Sequence, residues 1–461
     1  MTQAAGTLLP APSDDALQEI LDDAVRASAT AGAALAVHAE GRTRTFVSGT
    51  ANVELDVPVH PDTLFQIGST TKVYTAVLLH QLVDAGQVDL DVPVSSYVPE
   101  IAAGGAIRDA RLTCRQLMSM SSGLDNGPYT DHGNDDACAA RYVESLRDLP
   151  LVARPGEMYG YSNAGVVVVG RVVEEVTGEP WHRALRTRLL EPAGFTKSAT
   201  EPIELLFHRV ALGHHAPSGR TEVLPLWGLP RAMAATGSTL CASAADLVGL
   251  ARLFLDRGMA ADGTTRILSA DAVDRMQQPH IALPATLAAN AWCLGPNMKV
   301  WSGVEVFGHN GVNSGGTSML LWAPERGIAV ALLGNQPAVA GALNLAVADR
   351  VFGDCFGIRR PDPFAGTDRP ADLAAFTGTY VRHGFSQRVE LAGDTLVVSI
   401  DDAYDRTDPT PVPLRPVGAS SFLPQDPAQI GVLGWPLVFT GADAGRATHA
   451  INGIFASRRT D

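Results

Sequence analysis

The stretch IRRPDPFAGTDRP (358–370), with three prolines and charges of both signs among few apolar residues, has the composition of a linker. It divides the chain into two parts with different patterns. Before it, helical and strand periodicities are both present. After Phe376 no helical pattern appears, and short strand-like runs follow one another across Gly-Asp and Asp-Ala-Gly turns. A chain divided in this way calls for an α/β unit followed by a small all-β unit. Its 461 residues, at roughly 100–200 per domain, leave room for both.

The α/β unit is itself split. Ser13 to about Ala27 reads as an amphipathic helix behind the cap Ser13, followed by strand runs AALAVHA (33–39) and RTFVSGT (44–50) across a turn at Glu40-Gly41. The stretch STTKVYTAVLLHQLVDAG (69–86) is the clearest helix, stopping at Gly86. The block 110–260 reads as mainly helical, with helices over 164–178 and 243–258. Strand patterns return at 305–310, 318–323 and 327–335, and an Ala-rich helix over 339–352 closes this part. Strands from both ends of the unit therefore belong to one sheet, with helices between them in sequence. In the second unit, 378–383, 387–400, 410–416 and 435–451 read as strands and hairpins of a small barrel.

Composition narrows the function classes. The net charge is −14 (35 Lys+Arg against 49 Asp+Glu), and no basic run offers a nucleic-acid surface. No cation precedes Arg26 and no apolar run reaches signal-peptide or membrane-span length, so a cytoplasmic protein without a membrane partner is expected. The five cysteines, at 114, 138, 241, 293 and 355, are odd in number and far apart, which fits buried reduced thiols and no metal centre. Only three lysines occur, Lys72, Lys197 and Lys299.

Ser69 and Lys72 stand three positions apart in the first turn of the clearest helix, within hydrogen-bonding reach on one face. The helix N-terminus favours negative charge developing on the hydroxyl and disfavours a cation. A neutral lysine there is a base for the serine, and the flanking Val73, Ala76, Val77 and Leu79 make its desolvation plausible. The other reading is a solvated Ser and Lys. Tyr161-Ser162-Asn163 offers a phenol to relay a proton and a carboxamide to hold a substrate amide; it also reads as an ordinary helix start with Asn163 as N-cap. His309-Asn310-Gly311, at a strand end before VNSGGTSM, offers a proton or an ion-pair donor beside backbone that a substrate can approach, or a structural hydrogen bond.

These three segments, in this order, resemble the serine β-lactamase and penicillin-binding-protein superfamily in its class C and esterase-like branch: Ser-x-x-Lys, Tyr-x-Asn, then Lys/His-x-Gly on a strand beside the nucleophile. The text around them is similar as well, in 64–94, 112–127, 155–178 and 307–335, and the likeness spans about residues 15–355. The last segment, 373–461, resembles the lipocalin-like domain appended to some relatives. The resemblance implies a β-lactamase-like domain over 10–357 (an antiparallel sheet flanked by helices plus an all-α region), a linker over 358–372 and a lipocalin-like barrel over 373–461. It implies Ser69 as nucleophile, Lys72 as its base, Tyr161 as proton relay, Asn163 as substrate-amide contact and His309 beside them. The backbone N–H groups of Ser69 and Val312 would form the oxyanion hole, and Asn310, Gly311 and Asn313 would line the pocket. No cofactor or metal is implied.

His309 replaces the lysine of the common triplet with a weaker, pH-dependent cation, which argues against recognition of a β-lactam or D-Ala-D-Ala carboxylate. Together with the expected cytoplasmic address, it favours acyl transfer on a small peptide or a peptidyl (thio)ester, including one held on a carrier protein. Within the resemblance this is a penicillin-binding-protein-type thioesterase, releasing nonribosomal peptides at a D-residue by head-to-tail cyclisation. Carboxylesterase, D-aminopeptidase or D-peptide hydrolase activity is the alternative. Two other readings stand further off. Gly160-Tyr161-Ser162-Asn163-Ala164 approximates a G-x-S-x-G elbow with Ser162 as nucleophile, although no strand precedes it. A non-catalytic binding module would have lost a catalytic group, and none is lost.

Overall fold

The computed structural model describes residues 12–461 except 227, 288, 366–367, 404–409, 427–428 and 430–435. The expected domain start at residue 10, residues 366–367 of the linker and the first residue of the 435–451 run lie outside the described residues.

Helix α1 (Asp14–Ser28) begins where expected: the Ser13 hydroxyl accepts from the N–H of Ala16 at 3.2 Å, and Asp14 and Asp15 occupy the turn where the helix dipole favours anions. Strands β1 (Gly32–Ala39) and β2 (Arg42–Asn52) follow. Then come helices α2 (Thr71–Asp84), α3 (Asn163–Thr177) and α4 (Ala244–Leu255). Strands β3 (Asn297–Trp301), β4 (Val304–Val312), β5 (Thr317–Ala323) and β6 (Ile328–Gly334) precede helix α5 (Ala340–Ala348).

The sheet confirms the split unit. Its order is Val57–Pro58, β2, β1, β6, β5, β4, β3, Ala291–Trp292, Ile281–Ala282, with every neighbour antiparallel. The central pairing joins β1 to β6, placing Leu35 opposite Leu332. Alternation along the strands serves two cores. Leu35, Val37, Leu321, Val330 and Leu332 pack with α1 and α5 on one face. Ala34, Ala36, Leu320, Trp322 and Leu333 join the larger core with α2, α3 and α4 on the other.

The second unit is a closed antiparallel barrel of eight strands: β7 (Gly378–Arg382), β8 (Phe385–Ala392), β9 (Thr395–Asp402), β10 (Val412–Pro416), β11 (Ser421–Pro424), β12 (Leu437–Thr440), β13 (His449–Asn452) and β14 (Phe455–Arg459). Pairing of Tyr380 with Arg459 closes β7 onto β14, leaving no free sheet edge.

Several expectations need correction. Ser69 does not begin the α-helix: Gly68–Thr70 form a 3-10 turn and α2 starts at Thr71. The block 110–260 is less helical than its composition implies. Between Gly178 and Ser243, where prolines and glycines recur, the chain makes short helical turns and two-residue strands. The helix over 339–352 continues past α5 as a π-helical run, Asp349–Cys355. Strands β11 and β14 had no counterpart in the sequence reading. The proline-rich linker is also not a free tether at its start: Ile358 is buried in the second core, and Arg360 pairs with Asp349 at 3.0 Å.

Candidate active site

Three glycines let separate backbone segments meet at Ser69. Gly68 has φ +51, and a Cβ there would lie 2.7 Å from the nitrogen and the oxygen of Val312 at the end of β4. Gly311 runs so close to the nucleophile loop that a Cβ would lie 1.9 Å from the carbonyl oxygen of Ile67. Gly237, at φ +123, backs onto the carbonyl of Gly68. Hydroxyls lock the contact: Ser318 Oγ donates to Ile67 O at 2.6 Å and lies 2.7 Å from Thr70 Oγ1. The backbone of Val312 is thereby brought against the turn that carries Ser69.

Lys72 is fully buried, its Nζ 2.9 Å from Ser69 Oγ. Nζ also donates to the carbonyl of Thr236 at 2.9 Å. Among the described residues no carboxylate pairs with it, and burial holds its pKa well below the ordinary lysine value. The alternative of a solvated pair is therefore excluded. A neutral amine that donates to Thr236 keeps its lone pair for the Ser69 proton. Tyr161 is buried, with Nζ of Lys72 4.9 Å from its ring centroid. Burial raises its pKa above the ordinary phenol value, with a hydrogen bond to Ser69 acting the other way. The phenol thus stays protonated and can pass a proton, leaving the role of base to the amine.

His309 differs from the expectation of a pH-dependent cation. The ring is buried, and its Nδ1 lies 2.6 Å from the carbonyl of Asn310, so Nδ1 carries the hydrogen. Burial pushes its pKa down to about 3, with the hydrogen bond to the Asn310 carbonyl acting the other way. It is a neutral imidazole wedged beside Tyr161 and Trp292, with ring centroids 6.3 and 5.3 Å away.

Asn163 lies in the site with both amide hydrogens and its oxygen bonded to protein groups. Its Nδ2 donates to Asn126 Oδ1 and to the Tyr129 hydroxyl, both at 2.9 Å, and its Oδ1 accepts from Thr236 Oγ1 at 2.7 Å. It is not the cap of α3. Ser162 is, accepting from Gly165 N at 3.0 Å and donating to Asp125 O at 2.8 Å. With Ser162 buried and used in this way, the elbow reading fails. Asn310 is exposed and Val312 is 53% exposed, so both form the open rim of the site. Asn313 is buried and ties β4 to the carbonyls of Gly237 and Ser238 at 2.9 and 3.4 Å, which makes it a brace and not a pocket wall.

Sequence reading missed Thr236, Asn126, Tyr129 and Trp292. Asn126 fell inside the segment that carried the family likeness; Thr236, Tyr129 and Trp292 carry no local signal. It also missed Phe455 of the barrel, whose ring centroid lies 5.9 Å from that of Tyr161.

A serine hydroxyl, a desolvated lysine amine and a protonated phenol gathered in one site are the groups of a serine hydrolase or acyltransferase of the acyl-enzyme type. The Beta-lactamase family profile matches residues 17–351, and the chain belongs to that family. Penicillin-binding protein 4 of Amycolatopsis lactamdurans is 38% identical over 77% of this chain and 93% of its own. A crystal structure of SurE with D-Leu is 25% identical, covers 97% of this chain and 99% of its own, and superposes with a TM-score of 0.78, so the likeness includes the barrel. D-amino acid amidase from Ochrobactrum anthropi SV3, complexed with D-phenylalanine, is 26% identical over 74% of this chain and 98% of its own, with a TM-score of 0.61.

Proposed function

We propose that this enzyme transfers the acyl group of a small peptidyl thioester, ending in a D-residue, to an amine, and that with the peptide's own N-terminus as acceptor the product is a head-to-tail macrocycle. The observation that carries this reading is the desolvated Ser69–Lys72 pair, 2.9 Å apart, in a site packed against the barrel. The likeness to SurE with D-Leu extends over both units, and the likeness to an amidase of D-amino acids supports a D-configured acyl residue. The substrate arrives free or on a carrier protein, in the cytoplasm.

In the first half-reaction Lys72 takes the proton of Ser69, and Oγ attacks the thioester carbonyl. The N–H groups of Ser69 and Val312 receive the oxyanion. Its collapse breaks the C–S bond, and Tyr161 hands a proton to the departing sulfur and is reprotonated from Lys72. In the second half an amine attacks the Ser69 ester. The C–N bond forms, the C–Oγ bond breaks, and the amine's proton returns to Ser69 through the same pair. His309, being neutral, supplies no cation for a substrate carboxylate, which suits an acyl chain activated as a thioester.

Hydrolysis at a D-residue is the second reading, favoured by the amidase likeness. Peptidyl N-acetylcysteamine thioesters ending in D- or L-residues separate the two. Cyclic product from the D-terminated substrate, with the L-terminated one left largely unreacted, is expected. Linear acid from every substrate would replace cyclisation by hydrolysis.

A further inference from the structure

The barrel touches the catalytic tyrosine directly. The carbonyl of Ile454, at the tip of the β13–β14 hairpin, accepts from the backbone N–H of Tyr161 at 3.3 Å. Phe455, the next residue, sets its ring edge-to-face against the Tyr161 ring, 5.9 Å between centroids at 74°. Behind it, the Arg382 guanidinium lies 5.1 Å from the Phe455 centroid and 3.9 Å from that of Phe385, so the phenylalanine is held between the barrel and the catalytic ring. Gly160 permits the approach: a Cβ there would stand 3.3 Å from Cβ of Ala456. The hairpin is anchored further out, where buried His449 Nε2 lies 2.8 Å from the carbonyl of Val152, and the neighbouring β7–β8 turn is held by the backbone N–H of His383 donating to Asp125 at 2.7 Å. Trp292 completes the wall, 5.6 Å from the Tyr161 ring and 5.3 Å from His309. On the rim formed by β4, Asn310 and Val312 are exposed.

A wall of rings and an exposed rim decide what reaches an ester on Ser69. Bulk water surrounds the protein in vast excess over any amine, so aminolysis requires that water approach be restricted to the path the acceptor uses. We infer that Phe455 is a specificity-determining residue: as the barrel's contribution to the active-site wall, it shields the acyl-enzyme from water and directs it to an amine entering past β4. This rests on the acyl-enzyme chemistry proposed above, and it assigns the appended barrel a part in choosing the acceptor.

The test uses the full-length enzyme, an N-acetylated peptidyl thioester ending in D-Phe as acyl donor, which cannot cyclise, and glycinamide as acceptor. The ratio of amide to acid product is measured for wild type, Phe455→Ala, Phe455→Leu and Gly160→Ala, with thermal melting to confirm folding. In Phe455→Ala the ratio is expected to fall by about tenfold, and the acid limb of the acylation pH profile to move to higher pH as water reaches Lys72. Phe455→Leu, which keeps apolar bulk, should retain most of the ratio. Gly160→Ala, which lifts the hairpin from the body side, should lower it. A folded Phe455→Ala that still forms the acyl-enzyme with an unchanged ratio would overturn the inference and leave the chemistry standing. Absence of any acyl-enzyme in wild type would overturn both.

Discussion

At the scale of single residues, the proposed chemistry turns on one amine taken out of water. A lysine in the first turn of a helix opposes the helix dipole, and here it is also fully buried, so the charged form is disfavoured twice. Arginine cannot lose its proton at such a site. Lys72→Arg should therefore slow acylation by ~10²–10⁴-fold, measured as the single-turnover rate of adduct formation. In wild type that rate should fall as the pH drops through the lysine pKa, because protonation fills the lone pair. A limb near the ordinary histidine value is not expected, since His309 already sits at about 3 and stays neutral above it. That Ser69, Lys72 and Tyr161 meet in one place was legible from their types and spacing. The state of His309 was not: its neutrality comes from burial between Trp292 and Tyr161, rings distant in sequence.

At the scale of elements, the site is a crossing of three backbone segments at van der Waals limits. Gly311→Ala would drive β4 from Ile67, whose oxygen lies 1.9 Å from the new Cβ, and carry the Val312 N–H away from Ser69. A stability loss of ~1–3 kcal/mol and a fall in kcat larger than any rise in KM are expected from denaturation and steady-state kinetics. Gly341→Ala in α5, with nothing within 4 Å of its Cβ, should keep full activity and serves as the control. Longer elements were readable because caps and periodicity agree, as at Ser13 and Ser243, each accepting from the N–H three residues on. The two-residue strands and β11 were not, since a strand of two to four residues has no period to detect.

At the scale of the whole molecule, the split sheet followed from strand patterns at both ends of the first unit, and the barrel from helix-free text after Phe376. How the barrel meets the catalytic body had no such trace, because its contacts join residues as far apart as His449 and Val152, 297 positions in sequence. Docking places Phe455 on Tyr161 and makes Val438, Ile451 and Ala456 of the barrel part of the larger core of the catalytic unit. The two units therefore pack as one body, and the proposed chemistry places the acyl-enzyme on Ser69 beside their junction. Intact-protein mass spectrometry after mixing with a D-terminated peptidyl thioester tests that claim most directly. Wild type should gain the mass of the acyl group minus its thiol, mapped by proteolysis to the peptide containing Ser69, and Ser69→Ala should gain nothing. An adduct that persists in Ser69→Ala, or none on wild type under turnover, would contradict it.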